Sequence, residues 1–300
     1  MILKINEIYA QVDEIGYFIN YSRSSNELYI VAWSDADKKN RIGGFRLSGE
    51  GSYVIAKDNE VVLTGGLQRP NDAKIANNGN FIINDWLFGE GLKGIFYAFD
   101  ISGKILVSHS LSANLFNNGI SKNGEYAVCQ CCHSNSYDSS KLCFFDLNKC
   151  ILIWEIKPEI GWADSYYFDC EKSELQLIYK EKGIYRYDFE GHFIDKKKWE
   201  NERINYLSAF DISNIAKNRF KAEKHKINKE IAEEIISLFE RALEKNLDKY
   251  PNEKALIFRN IGEIKELLGN TLEAIHYYEL ALEHDEKIGI KRHLNNLKNR

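Results

Sequence analysis

Proline is scarce in this chain, with three residues in 300. No apolar run approaches the ~20 residues a helix needs to cross a bilayer, which excludes a membrane span. The first residues, MILKINEIYAQVDEIGYF, lack a basic stretch followed by an apolar block, so they do not read as a signal peptide. Charge of one sign is also lacking. The net charge is −4 and the isoelectric point about 6.0, too weak a field to imply nucleic acid. GxxxxGK[ST], HExxH and GxSxG are all missing, and with them the usual marks of phosphate binding, zinc proteolysis and serine hydrolysis. Six cysteines stand at irregular spacing, at 129, 131, 132, 143, 150 and 170, which points to reduced thiols in a cytoplasm. Abundant Lys, Asn and Ile beside scarce proline point to an AT-rich bacterial genome.

What is present is split in two. Of 20 glycines, 17 lie in residues 1–205 and only Gly262, Gly269 and Gly289 beyond. All five tryptophans and all six cysteines are in the first part. The first part holds 23 basic against 28 acidic residues, a net −5, and the second 17 against 16, a net +1. Glycine- and aromatic-rich strands giving way to glycine-poor helices predict two domains, 1–205 and 206–300.

The first part repeats itself. NNGNFIIND (77–85) is matched by KNGEYAVCQ (122–130), and SSNELYIVA (24–32) and EKSELQLIY (171–179) fit the same template of polar turn and bulky strand. Second strands ending in a turn are expected at GGFRLSGEG (43–51), IFYAFDISG (95–103), CFFDLNKC (143–150) and IYRYDFEG (184–191), and third strands at KILVSHSL (104–111) and CILIWEI (150–156). This predicts four units of antiparallel strands, roughly 16–66, 67–113, 114–160 and 161–200. Segment 2–12 adds one strand to pair with the last unit. The pattern resembles the propeller class that includes WD40-like and quinoprotein-like repeats, without the Gly-His and Trp-Asp signatures of true WD40 blades. The resemblance implies a β-propeller-like domain of about four blades; the alternative is an open stack of antiparallel sheets.

The second part is helical. Leu256, Phe258, Ile261, Ile264, Leu267 and Leu268 form an apolar stripe over 254–268, and Ala274, Ile275, Tyr278, Ala281 and Leu282 another over 271–285. Pro251-Asn252 introduces the first helix and Gly269-Asn270 ends it. A further helix is expected over 228–246, where Phe239 and Ala242 echo Tyr278 and Ala281, with its partner over about 211–226 and a capping helix over 287–298. Phe258, Gly262, Gly269, Ala274, Tyr278 and Ala281 fall at the offsets of a tetratricopeptide repeat, which this segment resembles; a generic helical bundle is the alternative. The resemblance implies α-hairpin repeats whose first helices line a groove for a protein or peptide partner. By it Leu256, Arg259, Glu263 and Glu266 face the ligand. Arg259 suits capture of a carboxylate, but an unpaired Glu263 would repel one, so a basic or mixed-charge segment is the expected ligand. Arg259 and Glu263 also fit a solvated i,i+4 pair. Two repeats and a cap are short for a solenoid, which implies docking on the β domain or a homodimer through the helices.

Other sequence features carry less. Gly89-Glu90-Gly91-Leu92-Lys93-Gly94 matches GxGxxG, but a strand rather than a helix follows, so it reads as a hairpin loop. On a strand, Cys129, Cys131 and His133 share one face and Cys132 takes the other, with Cys143 on a neighbouring strand; the spacing fits no standard zinc finger, and buried apolar thiols are expected instead. Arg69-Pro70-Asn71-Asp72 is similar to a segment of gluconolactonase-type propellers whose Asn helps hold a divalent metal. That resemblance makes Asn71, Asp72, Asn117, Asn118 and Asp164 a candidate ligand site at the propeller mouth; turn capping is the alternative. No catalytic residue, metal or cofactor is assigned. The expectation is a non-enzymatic scaffold or interaction protein of the cytoplasm, binding neither nucleic acid nor membrane; the rival is a gluconolactonase-like small-molecule hydrolase.

Overall fold

The structure is a computed structural model that describes residues 1–6, 9–18, 20–37, 39 and 41–299. It divides into two compact units, Met1–Trp199 and Glu200–Arg300. Among the described residues no helix is long and apolar enough to cross a membrane.

The first unit is built of antiparallel meanders. Five sheets follow one another along the described chain. The first holds β1 (Leu3–Ile5), β2 (Ala10–Val12) and β3 (Gly16–Phe18). The second holds β4 (Asn20–Arg23), β5 (Tyr29–Ser34), β6 (Gly51–Lys57) and β7 (Glu60–Leu67). The third holds β8 (Pro70–Ile75), β9 (Phe81–Asp85), β10 (Gly94–Phe99) and β11 (Ile105–Leu111). The fourth holds β12 (Leu115–Ile120), β13 (Tyr126–Cys131), β14 (Leu142–Asp146) and β15 (Ile151–Ile156). The fifth holds β16 (Ser165–Asp169), β17 (Glu174–Tyr179) and β18 (Gly183–Asp188). Sheets two to five match the four expected units. The described residues make no closed barrel or propeller.

Two strand expectations are corrected. Segment 2–12 does not add a strand to the last unit: β1 and β2 pair with each other, in register Leu3 to Val12, and make a separate sheet, the first, with β3; residues 7 and 8 lie outside the described ones. Residues 43–50 are irregular rather than a strand. Gly44 and Gly49 there have φ of +83° and +90°, which an extended strand does not accommodate. The second strand of that unit is β6, whose Gly51–Ala56 run is wholly buried.

Burial explains the stacking. Strands in the middle of a meander, such as β9 and β14, are buried throughout, whereas the outer β7 and β15 alternate exposed and half-buried residues. Alternate residues of a strand point to opposite faces. On β5, Ile30 and Ala32 join Leu3, Ala10 and Phe18 of the first sheet, while Val31 and Trp33 join Ile75, Phe81 and Ile83 of the third. The third and fourth sheets meet through Phe96, Val107, Cys129 and Phe145, and the fourth and fifth through Phe144, Leu175, Leu177 and Tyr185.

The repeated turns hold neighbouring sheets in step. Gly79 and Gly124 close equivalent turns by donating to the carbonyls of Ala76 and Ser121. Asn77 Oδ1 accepts from the Asn26 amide at 2.9 Å, and Asn80 Nδ2 donates to the Gly124 carbonyl at 3.0 Å. Gly124 has φ +76°, and a Cβ there would stand 2.3 Å from Asn78 Oδ1, so this turn requires glycine.

In the second unit α1 (Lys196–Glu202), which starts in the first, leads through a 3₁₀ turn (Arg203–Tyr206) to α2 (Ala209–Glu223), α3 (Lys229–Leu243), α4 (Pro251–Leu267), α5 (Thr271–His284) and α6 (Lys291–Lys298). Only α1 was not anticipated. Ser208 and Asn228 cap α2 and α3 by accepting from the amides of Asp211 and Ile231. Pro251 occupies the first turn of α4, and Gly269 follows that helix at φ +79°. Ile212, Phe220, Ile235, Phe239, Ile257 and Ile261 form one core, and Ala255, Ala274, Tyr278, Ala281 and Leu294 a second. Helix α4 contributes to both.

Candidate functional site

Helix α4 buries Ala255, Ile257, Ile261 and Ile264 completely. The four residues expected to face a ligand, Leu256, Arg259, Glu263 and Glu266, recur at i, i+3, i+7 and i+10 and are all half-buried. That spacing keeps them on one stripe of a helix, and each of them borders at least one of two cavities. One cavity of about 530 Å³ lies against Arg259, Glu263, Glu266, Tyr278, Ile290 and His293. A second, of about 460 Å³, is bordered by Phe220, Lys221, Lys224, Leu256, Arg259 and Glu263. Arg259 and Glu263 border both.

The polar partners in the groove differ from those expected. No ion pair joins Arg259 to Glu263. Glu263 pairs with Lys224 from beyond the end of α2, and Arg259 Nη1 donates to the Ile288 carbonyl at 3.2 Å. Glu263 is therefore not an unpaired charge, and the repulsion argued against a carboxylate ligand loses its premise. Glu266 Oε2 accepts from the Tyr278 hydroxyl at 2.8 Å and lies 2.7 Å from His293 Nε2. Burial, and then the bond to Glu266, push the Tyr278 phenol well above its usual pKa. At the Leu256 end, Lys217 is held by Glu253 at 2.6 Å. Lys221, Lys224 and Arg259 there face the single carboxylate of Glu263, an excess of positive charge.

The five residues of the expected propeller mouth make internal contacts. Asn118 Nδ2 donates to the Asp72 carbonyl at 3.1 Å, and Asn117 Nδ2 to the Ala163 carbonyl at 2.6 Å, tying β12 to its neighbours on either side. Asn117 Oδ1 accepts from the buried Tyr166 hydroxyl. The carboxylates go elsewhere: Asp72 to Lys74 at 2.6 Å, Asp164 to the Lys180 amide at 2.8 Å. The Asn71 carbonyl accepts from Trp33 Nε1. Arg69, which opens the same tetrad, lies 3.4 Å from Asp35 and over the Trp86 ring.

The glycine-rich segment 89–94 joins β9 to β10, an antiparallel pair, as a hairpin loop. Cys129, Cys131 and Cys143 are fully buried between the third and fourth sheets. His133 lies beyond the end of β13, with Nδ1 3.3 Å from Ser139 Oγ. Sequence reasoning missed Lys224, Phe220 and His293 in the groove. Each comes from another helix, and only the fold brings them to α4. No family model matches the chain, and no curated protein matches it.

Proposed function

We propose that this chain is an interaction protein whose α4 groove holds an extended segment of a protein partner. The observation that carries the reading is the groove itself: four residues singled out by helical spacing border two adjoining cavities. The hairpins α2–α3 and α4–α5, with Gly262 against Tyr278 and buried alanines at 242, 274 and 281, support kinship with tetratricopeptide repeats. The five stacked meanders support an open, propeller-like platform of five blades. Six free cysteines favour a reducing compartment such as the cytoplasm.

The pairing of Glu263 with Lys224 revises the expected ligand. Leu256 and Phe220 offer an apolar anchor, and Lys221, Lys224 and Arg259 offer cations, so an apolar residue flanked by acidic ones fits this end best. The hydrolase reading has no comparable support, because Asp72 and Asp164 are engaged by Lys74 and the Lys180 amide.

Selection of a displayed peptide library on the full chain, followed by binding to Leu256→Asp and Arg259→Glu, tests this. The expected outcome is enrichment of acidic–apolar peptides that lose about 5–30-fold in affinity on either variant, since one buried contact is worth about 1–2 kcal/mol. Failure to enrich any peptide, or binding to both variants as tight as to the wild type, refutes it.

A further inference from the structure

The seam between the third and fourth sheets carries a side-chain cluster that the groove does not use. His109 on β11, Cys143 on β14 and Glu155 on β15 each present one ligand atom, and these atoms lie within 4.8 Å of one another. The topology explains the convergence. Cys143 and Glu155 are direct cross-strand partners and so share a face. His109 reaches them from the neighbouring sheet, its ring held edge-on to Phe145 at 5.5 Å. The cluster runs from core to surface: Cys143 is buried, His109 half-buried and Glu155 exposed, which leaves a route for an ion from solvent.

The surroundings have the polarity of a cation site. Cys129 stands directly across from Cys143 on the adjacent strand, and the His109 ring nitrogen approaches the Cys143 sulfur from the neighbouring sheet. Lys141 Nζ lies 2.8 Å from Glu155 Oε1 and 2.7 Å from Asp138 Oδ1. Asp138 is fixed in turn by the Ser112 amide and hydroxyl, both at 2.7 Å. Asp138 and Glu155 thus set two carboxylates against the single positive charge of Lys141. Lys141 also holds one oxygen of Glu155, leaving the other to a metal, as an outer partner should.

We propose that His109, Cys143 and Glu155 form a zinc site, with its fourth position open to water. A nitrogen, a sulfur and an oxygen donor suit zinc, whereas calcium and magnesium take oxygen alone. Tetrahedral zinc with bonds of about 2.0–2.3 Å places its ligand atoms about 3.5 Å apart. The three atoms, within 4.8 Å of one another, need to contract by about 1.3 Å at most, which rotamer adjustment at the exposed Glu155 helps to supply. Binding expels the Cys143 proton to solvent.

The test uses the full reduced chain, freed of metal and titrated with Zn²⁺ and Co²⁺. Binding of about one equivalent is expected, with a thiolate-to-cobalt charge-transfer band and visible tetrahedral bands. Cys143→Ser should abolish the charge-transfer band, while Cys129→Ala and His133→Ala keep it. Glu155→Gln should weaken binding by at least ~10-fold, because even outer partners of a metal site are worth about 10–100-fold. Since Cys143 lies in the core, the surface variant Glu155→Gln and the half-buried His109→Asn carry the test if Cys143→Ser fails to fold. No cobalt band in the wild type, or affinity unchanged in both Glu155→Gln and His109→Asn, overturns the proposal.

Discussion

Replacing Gly262 with alanine pits two known effects of opposite sign against each other. In an open helix interior the change stabilises by about 1 kcal/mol, because alanine has the better helix propensity. Here a Cβ would stand 2.6 Å from Tyr278 Cε1 and 2.7 Å from Cδ1, with the Ala274 carbonyl oxygen at 3.3 Å. An ordinary carbon contact is about 3.5–4.0 Å, so the ring must retreat by about 1 Å. It has little freedom to do so: Tyr278 is 1% exposed and its hydroxyl is tied to Glu266 at 2.8 Å. Overpacking of this kind costs about 1–3 kcal/mol. The net expectation is destabilisation of the helical unit by up to about 2 kcal/mol, after subtracting the propensity gain. Urea unfolding followed by the helical circular-dichroism signal reads it. In the double variant Gly262→Ala/Tyr278→Leu, the alanine should cost less than it does alone, giving a coupling of about 0.5–3 kcal/mol. A Gly262→Ala protein more stable than the wild type would refute the close crossing of α4 and α5.

Three further outcomes follow from the same contacts. Asn77→Ala removes the acceptor shared by the Ser25 hydroxyl and the Asn26 amide and should destabilise the β unit by about 1 kcal/mol, read as a lower unfolding midpoint of the strand signal. Asp195 is held below the usual carboxylate range chiefly by its hydrogen bonds to Arg186, against some burial. Its lowered pKa gives stability that is present above the unfolded value of about 3.9 and lost as pH falls through the folded one. Asp195→Asn should therefore lower stability at neutral pH and flatten the acid limb; an acid limb identical to the wild type would contradict the pairing. Lys224→Glu breaks the bridge to Glu263 and reverses charge at the Leu256 end, so acidic peptides should lose affinity more than neutral ones, by titration calorimetry.

What the sequence made legible is what local pattern controls. The NNGN and KNGE turns declare themselves through Gly79 and Gly124, and the strands after them, β9 and β13, follow. The α4 stripe needs only a period of 3.6 residues, so the four groove positions could be read before any fold was known. The first sheet escaped notice because its three-residue strands carry too little alternation to register. Residues 43–50 misled because their alternating composition is overridden by two left-handed glycines, Gly44 and Gly49. The partners of Glu263 and Cys143 were illegible for a different reason. Lys224 and His109 lie 39 and 34 positions away, and only the packing of helix on helix or sheet on sheet brings them near.

The most direct measurement of the central claim is amide hydrogen exchange on the full chain, with and without a peptide selected for binding. The groove account predicts added protection along α4 between Leu256 and Glu266 and at Phe220–Lys224, with the β unit unchanged. Protection confined to the β unit, or spread without preference over both units, would contradict it.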